Sequence, residues 1–375
     1  MDWLIVRRRS KQMPVDFDAK RWERVKKNYK LWWDGKLGRP LINMGLGVYD
    51  PGRPEPALPY RHYASYYDLS VSPEDVVDRW DYDLSCQHFI GDAFPCVWPN
   101  FGPGVIAAFM GADLVNGAPP AETVWFHPKS EQEIKDIHFK YDPDNVWLRR
   151  VKDICRAAGE RWKGLVQVSM TDLGGNLDIL STFRPSEKLL LDLYDQPEEV
   201  KRLTWEAHQA WWKYFDDINA VLRKTNQGYT AWANIFSEES FYMLQCDFCY
   251  MIGPDMFDEF VKPELAATCK KLKHAFYHLD GVGQLPHLDS LLDIKELKGV
   301  QWVHGEGKQD NTQWPEVYRK IQKAGKRIQI YLERMDCLDV IADQIGAAED
   351  IIILGWADRS REKDVIAMCE KYGAI

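Results

Sequence analysis

The segment AFYHLDG (residues 275–281) decides how the fold is interpreted, because an apolar run ends there in polar side chains and a glycine. Residues two apart in an extended strand point to the same side, so His278 and Asp280 would face one pocket together. Two interpretations are open at this point. The pair binds a metal or transfers protons, or it is a buried histidine satisfied by a neighbouring carboxylate.

Short apolar segments like this one recur along the chain and alternate with helical patterns. The predicted strands are residues 41–45, 164–170, 228–232, 276–279, 300–303, 327–331 and 351–354. The predicted helices are 19–33, one that opens at Ser72-Pro73, 186–193, 196–225, 254–273, 314–324 and 361–372. About eight such strand–helix units predict an α/β fold of the (β/α)8 TIM-barrel type rather than a doubly wound sheet. No GxGxxG motif opens a helix, so a dinucleotide-binding fold has no support.

The domain organisation is predicted to be simple. Residues 1–40 are expected to form an N-terminal arm and one amphipathic helix, and residues 41–375 a single barrel domain. The proline- and tyrosine-rich residues 50–65 are predicted to be a loop. No internal repeat and no low-complexity linker divides the chain.

Composition excludes several classes of protein. The net charge of −9 argues against a nucleic-acid-binding protein, which normally presents a basic face. No apolar run approaches the ~18 residues of a membrane span. The three arginines at 7–9 follow an apolar start, which inverts the charge order of a signal peptide and predicts a cytoplasmic protein. Eight scattered cysteines fit a reducing compartment.

In a barrel, catalytic residues lie in the loops after the strands. Asp172 follows a predicted strand in a glycine turn, where it either carries chemistry or caps a helix. Cys246 and Cys249 have CxxC spacing but lack the second pair of a structural zinc site, so packing and redox roles both remain open. Carboxylates, histidines and cysteines that converge on strand ends are what a metal or acid–base centre requires.

These residues belong to segments that resemble the uroporphyrinogen decarboxylase superfamily. The segments are MTDLGGNLD (170–178), QCDFCYMIGPDMFDEFVKPEL (245–265), FYHLDGVGQLPHLDSLL (276–292) and GVQWVHGEGK (299–308), supported by VWPNFGPGVIAAFMGA (97–112) and ETVWF (122–126). The likeness extends from about residue 40 to the end of the chain. It implies a TIM barrel of the uroporphyrinogen decarboxylase type.

Two chemistries occur in that superfamily. True uroporphyrinogen decarboxylases bind the carboxylates of a tetrapyrrole with an early segment of the type RQAGRY. The corresponding residues here, INMGLGVY (42–49), contain no arginine, so they would bind a polycarboxylate poorly. The resemblance therefore favours the corrinoid-linked, cobalamin-dependent methyltransferases.

That branch implies a zinc centre and a corrinoid carried by a separate partner protein. Its metal motif is His-x-Cys with a later Cys; this chain has His278-x-Asp280, and Asp358 after its last strand. The implied zinc ligands are thus His278, Asp280 and Asp358. Their nitrogen and carboxylate oxygen atoms are harder ligands than the thiolates of the family motif. Asp172 and Asp247 would orient substrate or move a proton. The methyl group would pass between that corrinoid protein and a small methylated compound or tetrahydrofolate.

An aromatic pocket is expected to surround this centre. The residues expected to contact the substrate are Trp98, Met170, Trp232, Tyr250, His304 and Tyr331. Three alternatives stay open: a metal-free decarboxylase or lyase on the same scaffold, a glycoside hydrolase with paired carboxylates, and a binding protein that kept the barrel without its chemistry.

Overall fold

The computed structural model describes residues 15–47, 49–118 and 122–375. Helices and strands alternate through them, as the sequence predicts. The helices are α1 (Ala19–Trp33), α2 (Pro73–Ser85), α3 (Ile106–Phe109), α4 (Val146–Trp162), α5 (Asn176–Phe183), α6 (Ser186–Asp195), α7 (Pro197–Leu222), α8 (Pro254–Phe260), α9 (Lys262–Lys271), α10 (Leu288–Leu292), α11 (Pro315–Lys323), α12 (Cys337–Ile345) and α13 (Glu362–Lys371). The strands are β1 (Leu41–Gly47), β2 (His88–Gly91), β3 (Cys96–Val97), β4 (Asp113–Asn116), β5 (Val124–His127), β6 (Gln167–Val168), β7 (Phe241–Leu244), β8 (His274–Asp280), β9 (Leu297–Val303), β10 (Arg327–Tyr331) and β11 (Ile351–Asp358).

The main sheet has seven strands in the order β2-β1-β11-β10-β9-β8-β7. Its strands pair in parallel, except that β2 runs antiparallel to β1. A separate parallel pair joins β3 to β6, and β4 pairs antiparallel with β5. The α/β class is confirmed. Among the described residues the strand pairings do not close into one ring, so a closed barrel is not shown.

Several helices begin at the residues that capping and proline signals in the sequence predict. The predicted helix 19–33 is confirmed, and the Asp18 side chain accepts a hydrogen bond from the backbone N–H of Arg21 at its start. Ser72 caps α2 through the N–H of Asp75, and Pro73 occupies the first turn, where its missing N–H costs nothing. Proline likewise stands in the first turn of α7.

Three predicted elements differ from the structure, one in its existence and two in their extent. Residues 228–232 are not a strand: Tyr229 makes only an isolated antiparallel bridge with Ser237, because the chain turns back on itself there. The strand predicted at 164–170 shortens to the two residues of β6. The helix predicted at 254–273 breaks at Val261, because Pro263 lacks the N–H that would continue α8.

The core is continuous and unusually aromatic. Trp22, Tyr29 and Trp32 on α1 are almost fully buried, and the ring of Trp32 stacks on Phe276 of β8 at 6.3 Å. The amphipathic α1 helix thus packs against the strand that carries the His278 segment. The arginine run 7–9 and most of the predicted arm lie outside the described residues. None of the helices among the described residues combines the length and apolar character needed to cross a membrane.

A candidate metal centre

Three side chains meet at the carboxyl ends of two neighbouring strands. His278 and Asp280 lie on β8, and their facing atoms, Nε2 and Oδ2, are 3.7 Å apart. Asp247 follows β7, the strand paired with β8. One ligand atom from each of the three residues lies within 4.8 Å of the others. The shared orientation expected for His278 and Asp280 is therefore present, and Asp247 completes the cluster.

The orientation of the His278 ring is set from the adjacent strand. Gln301 of β9 stands beside His278 in the parallel register, and its side-chain oxygen bonds Nδ1 of the ring. The Gln301 amide nitrogen in turn donates to the hydroxyl of Tyr331 at 3.1 Å. With the amide oriented in this way, Nδ1 carries the proton. The Nε2 lone pair then faces the carboxylates, which is the arrangement that metal-binding histidines use.

Opposing electrostatic effects act on the imidazole. Burial lowers the pKa of His278. The hydrogen bond that Nε2 of the protonated ring donates to Asp280, the charges of Asp247 and Asp280 and the contact with Gln301 outweigh burial, so the pKa is raised overall. For Asp247, burial outweighs the attraction of the neighbouring opposite charge. Burial of its carboxyl group and the negative charge of Asp280 raise its pKa against the opposing effect of His278, although part of the residue still meets solvent. The cluster concentrates negative charge that a bound cation would neutralise.

Asp247 is held in place by a carboxylate that sequence reasoning missed. Asp178 on α5 accepts hydrogen bonds from the backbone N–H groups of Asp247 (3.1 Å) and Phe248 (2.7 Å). Its burial, together with the negative charge of Asp247, raises the pKa of Asp178. The available signal was its position six residues after Asp172 in the segment 170–178, at the start of a helix.

Asp172 lies close to this cluster without joining it. The side chain is 5% exposed, and one oxygen accepts a hydrogen bond from the N–H of Gly174 at 2.9 Å. Burial, reinforced by the charge of Asp247, raises the pKa of Asp172 to about 7. The residue is not a helix cap, since α5 begins at Asn176 behind Gly175, which makes no side-chain bond. A buried carboxyl group that titrates near neutral pH is suited to proton transfer.

Aromatic rings form one wall of the centre. The ring of Trp232 meets His278 edge to face, with centroids 4.9 Å apart, and Trp98 lies 6.5 Å beyond it. Tyr331 stands on the opposite side of Gln301, 38% exposed. Tyr250 packs on the turn after β8, where a Cβ at Gly283 would lie 2.6 Å from its ring. Four of the six expected substrate-contact residues thus surround the centre or the turn beside it.

The other predicted site residues do not belong to the cluster of ligand atoms. Met170 is 1% exposed in the core. His304 pairs with Glu333 (Nε2 to Oε1, 3.1 Å). Asp358 ends β11, which is separated from β8 by two strands, and its carboxylate accepts a hydrogen bond from the N–H of Ser360. The structure therefore does not bring Asp358 together with His278 and Asp280; Asp247 occupies the third position.

The CxxC pair flanks the centre but does not enter it. Cys246 and Cys249 are buried free thiols on either side of Asp247 in sequence. Burial raises the pKa of both, so both are protonated thiols at neutral pH. Neither belongs to the cluster of ligand atoms found among the described residues. Packing is the role that their surroundings support.

The donor set fits a divalent metal. Tetrahedral zinc with bonds of about 2.0–2.2 Å to nitrogen and oxygen holds its ligand atoms roughly 3.3–3.6 Å apart. The 3.7 Å between Nε2 of His278 and Oδ2 of Asp280 is close to that spacing. Three protein ligands leave one coordination position open, which is the pattern of catalytic rather than structural zinc sites.

Comparison with known proteins shows that the chain shares its fold with a solved structure. No protein-family model and no curated relative matches the sequence. In three dimensions the chain is similar to a methyltransferase from Methanosarcina mazei, with a TM-score of 0.61 over 93% of this chain and 99% of that one. The two sequences are 12% identical over that match, so the likeness establishes a shared fold.

Proposed function

We propose that the protein is a zinc-dependent methyltransferase that passes a methyl group between a small methylated compound, or tetrahydrofolate, and a corrinoid carried by a partner protein. The observation that carries the proposal is the cluster of Asp247, His278 and Asp280, with Nε2 of His278 turned toward the two carboxylates. The methyltransferase fold of the structural neighbour supports the same reaction class. The corrinoid partner rests on the resemblance of segments 170–178, 245–265 and 276–292.

The scaffold we propose is a (β/α)8 barrel of the uroporphyrinogen decarboxylase type. Strands β1, β3 and β6 to β11 supply eight strands in the required chain order. One bond supports closure beyond the strand pairings. The Tyr242 hydroxyl of β7 accepts a hydrogen bond from the N–H of Leu173, which follows β6, at 2.7 Å. In such a barrel the centre would lie at the catalytic face.

Asp247, His278 and Asp280 would hold the metal and leave one position open for the substrate. When bound, zinc supplies a Lewis acid that polarises the heteroatom bearing the methyl group. Asp172, with a pKa of about 7, would hold or release a proton at its buried carboxyl group. Trp98 and Trp232 shield the transferred group from water.

The metal-free decarboxylase is a weaker alternative. That mechanism asks Asp172 or Asp247 to stabilise a cationic intermediate with a negative charge. Burial raises the pKa of both carboxyl groups, which disfavours their charged forms. The titration of these groups supports proton transfer better than charge stabilisation.

Metal analysis and activity of a single variant test the proposal. We expect about one zinc per chain by plasma mass spectrometry, and little in His278→Ala, because loss of a ligand in a three-ligand site removes most of its affinity. Methyl transfer from methylcobalamin to tetrahydrofolate should fall by about 1000-fold in the same variant. His127→Ala, an exposed histidine of β5, is the matched control. A wild-type protein without metal, or an H278A variant with full metal and activity, would contradict the proposal.

A further inference from the structure

A cleft opens directly beside the candidate metal centre. It has a volume of 270 Å³, and Asp247 of the centre forms part of its wall. Asp178 and Ser181 line it from α5, and Gly104 and Gly174 line it from the loops after β3 and β6. A water molecule in the liquid takes up about 30 Å³, so this space, called the Asp178 cleft below, has room for a small molecule.

The lining of the Asp178 cleft carries acidic side chains and no basic one. Asp178 and Asp247 are its charged residues, and the rest of the lining is neutral, including Gln245, Phe248 and Met251. Four other cavities in the described part of the chain each include at least two lysine, arginine or histidine side chains. The cleft at the centre therefore differs from these cavities in a charge that attracts a cation and repels an anion.

The charge of Asp178 has no cationic partner among the described residues. Its oxygens accept hydrogen bonds from the backbone N–H groups of Asp247 and Phe248 at 3.1 Å and 2.7 Å, and no ion pair joins it to a lysine, arginine or histidine. Each carboxylate oxygen keeps a further lone pair for a ligand. Two carboxylates, Asp247 and Asp280, already balance the charge of a bound zinc ion, so Asp178 would stay negative and uncompensated in the metal-loaded protein.

An unpartnered amide lines the same space. Gln245 is 5% exposed, and its side chain makes no hydrogen bond with any described residue. It follows β7, whose Met243 pairs in parallel register with Phe276 of β8. Gln245 and His278 come two residues after that pair, so their side chains project to the same face of the sheet. The amide oxygen of Gln245 is thus a hydrogen-bond acceptor near the centre that the fold leaves unused.

The Asp178 cleft and the metal centre share a residue, which relates the two ends of a bound molecule. Asp247 contributes a ligand atom to the centre and part of the wall to the cleft. A molecule whose charged end lies against Asp178 and Gln245 would therefore bring a second heteroatom to the open metal position. A protonated amine has no lone pair to offer a metal, so its charged group must be the end that faces away from zinc.

We propose that the Asp178 cleft binds the ammonium end of a small methylated substrate, with Asp178 supplying the opposite charge and Gln245 a hydrogen-bond acceptor. This inference rests on the proposed function for the reacting end of that molecule, which faces the metal. An ammonium group donates N–H bonds to both a carboxylate and an amide oxygen. The substrate class is thereby narrowed to amines that carry their methyl group on a second, metal-binding heteroatom, such as an ether oxygen.

Two methyl ethers of nearly equal size test the charge preference without knowledge of the natural substrate. They are 2-methoxyethylamine, whose alkylammonium group is protonated at neutral pH, and 2-methoxyethanol, which is neutral. We expect calorimetric titration of the intact protein to show at least about 10-fold tighter binding of the amine. Gln245→Leu removes one acceptor, so the amine affinity should fall about 3- to 10-fold. Equal wild-type affinities for the two ethers, or an unchanged amine affinity in Q245L, would overturn the inference.

Two substitutions on α5 remove or reverse the charge of the Asp178 cleft. Asp178→Asn keeps the size of the side chain and one acceptor oxygen, and the preference for the amine should fall about 10-fold. Ser181→Lys places an ammonium group in the cleft and should abolish the preference, because like charges repel.

Thr182→Lys is the matched control for the added charge. The hydroxyls of Ser181 and Thr182 both donate to the Asp178 carbonyl, at 2.8 Å and 3.2 Å, but Thr182 does not line the cleft. T182K should keep the wild-type preference. A preference that survives in D178N and S181K, or an equal loss in T182K, would overturn the inference. Should D178N fail to fold because Asp178 also holds Asp247, S181K decides the question against T182K.

The metal assay separates this inference from the proposed function. Zinc-containing protein that transfers methyl groups but binds the two ethers equally would overturn the ammonium site alone. Metal-free protein that prefers the amine, and loses the preference in S181K but not in T182K, would overturn the proposed function alone and support the ammonium site. Zinc binding together with a preference that follows the expected pattern of variants would support both.

Discussion

Strand β8 carries a histidine near each end, and the two rings lie in opposite electrostatic surroundings. His274 at the amino end stacks on Trp33 with centroids 4.0 Å apart, and its Nδ1 bonds the hydroxyl of Ser237 at 2.8 Å. Burial, strengthened by the positive charges of Lys273 and Lys298, lowers its pKa to about 4. His274 is a neutral packing residue.

His278 at the carboxyl end differs in the charges around it. Carboxylates rather than lysines surround it, its pKa is raised, and its Nε2 faces Asp280. Four residues of one strand thus separate a histidine that packs against a tryptophan from one that belongs to the candidate metal centre. Cavity size does not make this distinction, because the cavity beside His274 has a volume of 470 Å³ and the one lined by Asp247 has a volume of 270 Å³.

We expect the largest effect when the two carboxylates beside His278 are removed, because they distinguish its surroundings from those of His274. The double variant Asp247→Asn, Asp280→Asn should lose about 1000-fold or more in zinc affinity, since two charged ligands become weak neutral ones. Competition with a chelating dye measures the affinity. Asp358→Asn is the matched control and should bind zinc as the wild type does. If D358N loses as much affinity as the double variant, Asp358 is a ligand and the cluster around Asp247 is not the site.

A smaller effect should come from the residue that orients the ring. Gln301→Leu removes the acceptor for Nδ1, so zinc affinity and methyl transfer should fall about 10- to 100-fold. Gln301→Glu retains an acceptor and should restore most of the affinity. The chelator competition and the tautomer of His278, read from nitrogen chemical shifts, check this. Equal losses in Q301L and Q301E would mean that Gln301 serves packing only.

The amino end of β8 should show the smallest effect, and only in stability. The folded pKa of His274, about 4, lies below the ordinary 6.5. The unfolded chain therefore takes up a proton first as pH falls, and stability declines between about pH 6.5 and 4. His274→Phe should flatten this decline by on the order of 1–3 kcal/mol.

Urea unfolding midpoints from pH 7 to 4.5 measure this contribution, with the exposed His127→Phe as the control variant. Zinc content and methyl transfer at neutral pH should be unchanged in H274F. A change in metal content would assign His274 to the centre and remove the contrast between the two ends.

Much of the fold followed from local pattern. Apolar strands such as Ile351–Leu354 and caps such as Ser72 act within a few residues, so periodicity and turn chemistry locate them. The strand prediction for residues 228–232 was wrong because the alternating apolar residues there form a bridge to Ser237 and do not pair with a strand of the sheet. A Cβ at Gly228 would lie 2.3 Å from the Ser237 carbonyl, a close approach that sequence pattern does not express.

The candidate site was predictable only within single strands. The spacing of His278 and Asp280 follows from the period of a strand, and this part needed no tertiary information. The third member depends on which strands are neighbours: β7 pairs with β8, which favours Asp247, whereas β9 and β10 separate β11 and Asp358 from β8. Gln301 depends on the parallel register between β8 and β9, which no local signal specifies.

The amide of Gln301 has a consequence for proton traffic. It accepts a hydrogen bond from the His278 ring and donates one to Tyr331, so it links the two groups mechanically. A carboxamide keeps its own protons at physiological pH and does not relay one as a hydroxyl, an imidazole or a water chain can. Gln301 therefore does not pass protons between Nδ1 of His278 and the hydroxyl of Tyr331. Protons can reach or leave this imidazole only through Nε2, on the side of Asp247 and Asp280, where the substrate would stand.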